Sequence, residues 1–362
     1  MASDLEMYRD RQQALRGALR RGALDGALIS HLPNIRYLCG FTGSAGVLML
    51  TADQSAFFTD GRYLEQAKKQ VAVDQVQAEG NPLRKGMAWA AKAVRGVLGC
   101  EESHLTVKEW QLIKGDAKNR LRLRDASDLV EKLRMIKDIG EIDKIRAAVE
   151  LGSRLFQDAL EHIRPGVRET EIAAEIEYQA RRAGAQGMSF ETIVASGARS
   201  ALPHGVATPQ PLPATGFVVL DFGVILSGYC SDMTRTVHLG KPDQRARKMY
   251  LAVFRAQRAA LKAVKAGARA DKVDQAARSL LQQAGLGQFF THSTGHGVGL
   301  EIHERPRLAQ KCSDKLKPGM VITIEPGVYV PGAGGVRIED MVVVTPAGCE
   351  VLTPTPKELI VV

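Results

Sequence analysis

Apolar residues recur at two spacings along this chain. Over long stretches they return every three to four positions, and over short ones every two, the periods of helix and strand. Residues 4–22 carry Leu5, Tyr8, Leu15 and Leu19 at helical spacing. Ile142, Ile145, Ala148 and Leu151 do the same in a longer stretch that Pro165-Gly166 closes. Glu169–Ala183, 243–266 and 271–284 read as further helices, the first with Ile172 and Ile176 on one face. Shorter helices are predicted near 63–70, 82–98 and 107–117, and strands at GALIS, GVLMLT and SAFFTD. HLPNIRYLCGFTGS between them reads as a loop with a short helical turn. Helix and strand alternate here as in an α/β domain. The connecting segment from Asp128 to Met135 gives domains 1–130 and 131–362. The second mixes helices with a curved, largely antiparallel sheet, helices outside.

Charged residues interrupt the apolar strands of the second domain. Asp221 ends FVVLD, and Glu325 ends MVITIE before Pro326-Gly327. In GVRIEDMVVV a period of two puts Arg337, Glu339 and Met341 on one face. Asp232 lies in YCSDMTRT, and His296 in STGHGVGLEIHE. Charge on a core strand is costly unless paired or metal-bound. Any one of these alone reads as an ordinary strand-end acid, but the five together form a ligand set. Four carboxylates repel one another by more than a single +2 charge offsets, whereas two cations about 3.5–4 Å apart can share them. Oxygen donors with one imidazole favour Mn2+, with Co2+, Zn2+ or Fe2+ as alternatives. His204 sits in a Pro-Gly loop; His292 and His303 flank His296, and glycines 295, 297 and 299 exclude a regular helix there.

Composition narrows the class. Of 362 residues, 45% are hydrophobic and 25% charged, as in ordinary soluble proteins. The net charge of +9 is spread over helical stretches such as Arg245–Lys248 and Lys262–Arg269. With aromatics at 5%, solvated helix faces are a better reading than a nucleic-acid surface. No apolar run reaches the roughly 20 residues of a membrane span. The polar N-terminus, MASDLEMYRDRQQ, is not expected to be a signal peptide. Five scattered cysteines without a CxxC pair are expected to be reduced thiols of a cytoplasmic protein.

These segments resemble a known family. Leu202-Pro203-His204-Gly205, Asp221-Phe222-Gly223, Ser231 to Thr236, His292 to Gly299, His303-Glu304, Glu325-Pro326-Gly327 and Arg337 to Asp340 occur in the order of the creatinase/methionine-aminopeptidase superfamily. The likeness is to its proline-specific "pita-bread" metallopeptidases, Xaa-Pro aminopeptidase and prolidase. Gly40 to Ser44 and Thr59 to Tyr63 resemble, more loosely, their creatinase-type N-terminal domain. The resemblance implies an α+β fold: a smaller α/β N-terminal domain and a C-terminal pita-bread domain holding two metal ions. It implies Asp221, Asp232, His296, Glu325 and Glu339 as metal ligands, Glu325 also as proton carrier. It implies His204 and His303 as catalytic groups at the scissile bond, and His292 and Arg337 as substrate-binding, with Arg337 either orienting carboxylates or reaching a substrate carbonyl or carboxylate. Proline-containing peptides as substrates and a homodimer follow, with no nucleic-acid or membrane partner. An Xaa-Pro aminopeptidase is the leading expectation. Chain length and the patterns from Thr59 to Tyr63 and from His292 to His296 look closer to the short aminopeptidases than to the longer prolidases. Arg337, two residues from Glu339, is expected to be held by the metal-site carboxylates and so to be less available to a substrate carboxylate. Prolidase is the alternative. The competing class is an inactive binding protein on this fold, which would be expected to lose ligands.

Overall fold

Helix α1 (Ala2–Arg21) opens a chain that divides between Arg134 and Met135 into two units. The computed structural model describes residues 2–78, 80–118 and 120–362, with side chains from residue 5. In the first unit β1 (Gly26–Ile29), β2 (Val47–Thr51), β3 (Ser55–Thr59), β4 (Gln75–Ala78), β5 (Val97–Cys100) and β6 (Arg122–Asp125) form one sheet. Its order is β4-β3-β2-β1-β5-β6, with parallel and antiparallel pairs. Helices α2 (Leu32–Cys39), α3 (Leu64–Gln70), α4 (Pro82–Ala93), α5 (Val107–Ala117) and α6 (Leu129–Arg134) complete it.

Two expectations change here. Residues 32–39 form a helix where the sequence suggested mostly loop. Pro33 sits in the first turn, where its missing N–H costs nothing, and Gly40 stops the helix at φ +85°. Ile35, Leu38 and Cys39 are buried by it. The predicted helix 82–98 ends at Ala93, because Gly96 at φ +141° turns the chain into β5, all of it buried.

The second unit begins with α7 (Ile139–Leu160), capped reciprocally by Asp138 and Glu141, and α8 (Glu169–Arg182). Then come β7 (Gly187–Met188), β8 (Ile193–Ser196), β9 (Gly216–Phe222), β10 (Val224–Leu226), β11 (Tyr229–Cys230) and β12 (Met233–Leu239). Helices α9 (Gln244–Ala263) and α10 (Ala270–Gln283) precede β13 (Gly295–Gly297), β14 (Glu304–Leu308), β15 (Val321–Ile324), β16 (Gly327–Val330), β17 (Gly334–Arg337), β18 (Asp340–Val344) and β19 (Cys349–Val351). Every pairing between these strands is antiparallel, in sheets β11-β10-β7, β12-β9-β8, β14-β13-β15-β18-β19 and β16-β17. Leu155, Phe156 and Ile176 of α7 and α8 pack on Val218, Leu220 and Val237. Val253, Ala260 and Val273 of α9 and α10 pack on Ile322, Ile324 and Val342. Helices thus cover two sheets from outside, and no helix is long and apolar enough to cross a membrane.

One buried charge network ties β12, β18 and α9. The Arg235 guanidinium donates to Asp340 at 2.8 Å and to the carbonyls of Thr355, Pro356 and Glu339. Asp340 also accepts from Gln257 at 2.8 Å and Lys357 at 2.5 Å. Removing one partner strands the others in a dry interior. Asp340→Ala is expected to lower unfolding free energy by about 3–5 kcal/mol in urea titrations. A loss below about 1 kcal/mol would show that the network is not structural.

Candidate metal centre

The five ligand candidates come from strand ends that converge. Asp221 is in β9 and pairs across with Thr234 of β12, while Asp232 immediately precedes β12. His296 is in β13, Glu325 follows β15, and Glu339 sits where the chain passes from β17 to β18. That strand breaks between sheets, yet alternation survives. Arg337 and Glu339 face Thr234, while Asp340 faces away to Arg235. Backbone contact sets the glycines around His296. A Cβ on Gly295 would meet Thr323 O at 2.0 Å, and one on Gly297 would meet Arg305 O at 2.2 Å.

Asp221, Asp232 and Glu339 are buried, and the His296 and Glu325 side chains are 13% and 16% exposed. Donor atoms of Asp232, His296 and Glu339 lie within 4.8 Å of one another. His296 Nε2 is 3.3 Å from Glu325 Oε1 and 3.6 Å from Asp232 Oδ2. Asp221 is held by Arg337 Nη2 at 2.5 Å and acts electrostatically on Asp232, Glu325 and Glu339. Asp221 Oδ1 and Glu339 Oε1 are buried with no hydrogen-bond partner. Oxygen atoms stranded beside a neutral imidazole fit divalent cations, and no group among the described residues satisfies them.

Charge follows from burial. Burial, then Glu339 and Asp221, pushes Asp232 well above the usual carboxylate range. Burial, then Glu325 and Asp221, does the same to Glu339, and burial pushes Glu325 up to about 7. Burial also lowers His296, keeping its imidazole neutral as a ligand must be.

Arg337 joins this centre to its surroundings. It donates through Nε to Thr234 Oγ1 at 3.0 Å, and through Nη1 to Tyr329 Oη at 2.6 Å and Pro203 O at 3.1 Å. All three nitrogens are therefore engaged within the protein, as suits an arginine that orients carboxylates. Pro203 precedes His204, which is exposed and within electrostatic reach of His292, His303 and Glu325. Tyr329 Oη lies 2.9 Å from His292 Nε2. Burial and the neighbouring Arg337 lower His292 to about 4. His303 packs edge-on to His296, ring centroids 4.5 Å apart, and burial lowers it too.

Several participants were not foreseen. Asp274 of α10 pairs with Arg278 at 2.9 Å, and Arg278 holds the carbonyls of Phe290 and His292. The spacing of four was visible in the sequence, but not its target. Arg307 is directly opposite His296 across β13 and β14 and acts on both His296 and His303. Which residue of β14 stands opposite His296 is set by inter-strand register, which the periodicity of either strand does not encode. Lys137 and Glu304 form a buried ion pair at 2.9 Å. Glu304 also accepts from the Glu301 amide at 3.2 Å, bracing the turn before His303.

Two predictions follow from this geometry. Protons on the raised carboxylates must leave before a cation binds, so cation affinity rises with pH. After chelation, excess Mn2+ should raise Tm little near pH 5.5 and substantially near pH 8, where a hundredfold excess over Kd adds about 2.7 kcal/mol of unfolding free energy. An equal gain at both pH values would place the cations elsewhere. Lys137→Met should lower kcat/KM roughly ten- to hundredfold by loosening the His303 turn, while the Mn2+-induced rise in Tm persists. Unchanged activity, or loss of that rise, would contradict the bracing role.

Comparison with known proteins agrees with this geometry. Residues 143–346 match Metallopeptidase family M24, and residues 11–136 match the Creatinase/Prolidase N-terminal domain. An Xaa-Pro dipeptidase of Pyrococcus horikoshii is 38% identical over 342 residues, 94% of this chain and 95% of that protein. The structure of an Xaa-Pro dipeptidase from Bacillus anthracis superposes with a TM-score of 0.94 at 41% identity, covering 98% of this chain and all of that one (100%). An X-Pro aminopeptidase from Thermotoga maritima gives 0.87 at 36% identity, covering 95% and 100%. With its N-terminal creatinase-type domain and C-terminal pita-bread domain, the chain belongs to metallopeptidase family M24.

Proposed function

We propose that this enzyme is an Xaa-Pro dipeptidase, hydrolysing the bond between an N-terminal residue and a C-terminal proline. The observation that carries the reading is Arg307. Directly opposed residues of an antiparallel pair share a face, so Arg307 stands beside His296 on its side of the sheet. It is exposed and has no ion-pair partner among the described residues. An unpaired cation there suits the free carboxylate of a terminal proline. Among arginines, the expectation of an aminopeptidase weighed Arg337 alone. Arg337 is engaged internally, but Arg307 is a second arginine that the carboxylate can use. Relatives named as Xaa-Pro dipeptidases, 38% and 36% identical over nearly the whole chain, favour the same reading. The similarity to an X-Pro aminopeptidase keeps that activity as the second reading.

Asp221, Asp232, His296, Glu325 and Glu339 would hold two divalent cations, with Mn2+ the best match to the donors. When bound, these would acidify a water and polarise the carbonyl before proline. Glu325, with its raised proton affinity, takes the proton of the attacking water and delivers it to the departing proline nitrogen. His303, neutral at physiological pH, and His204 donate hydrogen bonds where negative charge develops on the carbonyl oxygen. His292, locked between Ser293 O and Tyr329 Oη, walls the space for the proline ring. Proline has no N–H and a fixed φ, so a dedicated wall suits it better than backbone pairing. A homodimer, which the resemblance implies, belongs to this reading.

The test compares Ala-Pro with Ala-Pro-amide and Ala-Pro-Ala. The dipeptide is expected to win by about a hundredfold in kcat/KM, about 2.7 kcal/mol of transition-state binding. Arg307→Gln should abolish most of that preference with little change on the amide. Equal or better cleavage of the tripeptide would turn the assignment to aminopeptidase.

A further inference from the structure

Between Gln244 and Ala270 the chain carries eight arginines and lysines and no aspartate or glutamate, almost matching its whole net charge of +9. Most of this run is α9. At 3.6 residues per turn, Lys248, Leu251, Arg255, Arg258 and Lys262 fall within an arc of roughly 80° that extends for about 21 Å along the helix. All five are exposed. Helices α10 and α7 neutralise cations at helical spacing, Arg278 with Asp274 and Arg146 with Asp143. The four cations of the α9 stripe have no ion-pair partner among the described residues. The sequence of α9 offers them none.

Beside this stripe lies a groove of about 800 Å³ between α9, α10 and residues 286–289. Met249, Leu280, Leu286 and Phe289 line it, with Arg245, Lys248 and Arg255 at its margin. Leu251, also in the lining, is 48% exposed, and no acidic residue contributes. None of the lining residues belongs to the metal centre.

We propose that this face docks an acidic peptide segment of another protein, bearing one or two large apolar side chains that enter the groove. Charge complementarity requires an anionic occupant. The stripe outruns the groove, so a polymer uses it more fully than a small amphiphile does. A nucleic-acid backbone would use the cations but leave the aliphatic lining unsatisfied. A flat anionic bilayer would meet the cations but not fill a recess. An acidic peptide with leucine or phenylalanine anchors satisfies both, by groove insertion with a charged rim. The same face of a second copy would bring cations against cations, since no acidic residue lies in α9 or lines the groove.

The experiment titrates the intact protein into a fluorescein-labelled octapeptide of glutamates with two leucines and no proline, read by anisotropy. Saturable binding with Kd in the micromolar range is expected, about −8 kcal/mol at 1 μM. Lys248→Glu with Arg255→Glu should weaken it by roughly tenfold or more, and so should Leu251→Glu. Both variants should hydrolyse Ala-Pro at the wild-type rate, which shows that they are folded. An all-glutamate octapeptide should bind roughly tenfold more weakly, and single-stranded RNA or phosphatidylserine vesicles should not displace the probe. Absence of saturable binding, binding unchanged in the variants, equal affinity of the leucine-free peptide, or displacement by RNA or vesicles would each overturn the proposal.

Discussion

Four carboxylates crowded into one buried space are the constraint from which the rest of this molecule follows. Each buried anion carries a desolvation cost of several kcal/mol, and here mutual repulsion adds to it. The protein meets the cost only in part. Thr234 and Thr323 hydroxyls serve Glu339 and Glu325, and the Arg337 guanidinium serves Asp221. What remains is proton retention on Asp232, Glu325 and Glu339, together with stranded oxygens on Asp221 and Glu339. A centre so incompletely neutralised by its own chain is built for added positive charge.

Arg337 gives this electrostatic fact a mechanical consequence. The guanidinium that holds Asp221 also holds the Pro203 carbonyl beside His204 and the Tyr329 hydroxyl that meets His292. Ligand and substrate-facing loops are therefore referenced to one planar group with fixed donor directions, a task for which lysine would be a poor substitute. Two outer ion pairs extend the frame: Asp274–Arg278 positions the His292 loop, and Lys137–Glu304 the His303 turn. All of these residues lie in the second unit.

Much of this was legible because strand chemistry is local. An aspartate or glutamate ending a run such as FVVLD or MVITIE violates the apolar pattern, and such violations mark sites. Helices with strong periodicity, such as α7 and α10, appear close to where the sequence places them. The failures are of another kind. Helix α2 hid behind Pro33, because proline reads as a breaker unless its place in the first turn is known. Arg307, Lys137 and Arg278 hid behind pairings that no local spacing encodes. The aminopeptidase expectation weighed Arg337 and passed over Arg307 through the same gap.

Metal stoichiometry reaches the central claim most directly. Protein purified without chelator, saturated with Mn2+ and freed of excess, would be measured by elemental analysis and by anomalous diffraction. Two ions per chain, about 3.5–4 Å apart and surrounded by Asp221, Asp232, His296, Glu325 and Glu339, are the predicted result. Full hydrolysis of Ala-Pro by exhaustively chelated protein, or ions bound away from these five residues, would contradict it.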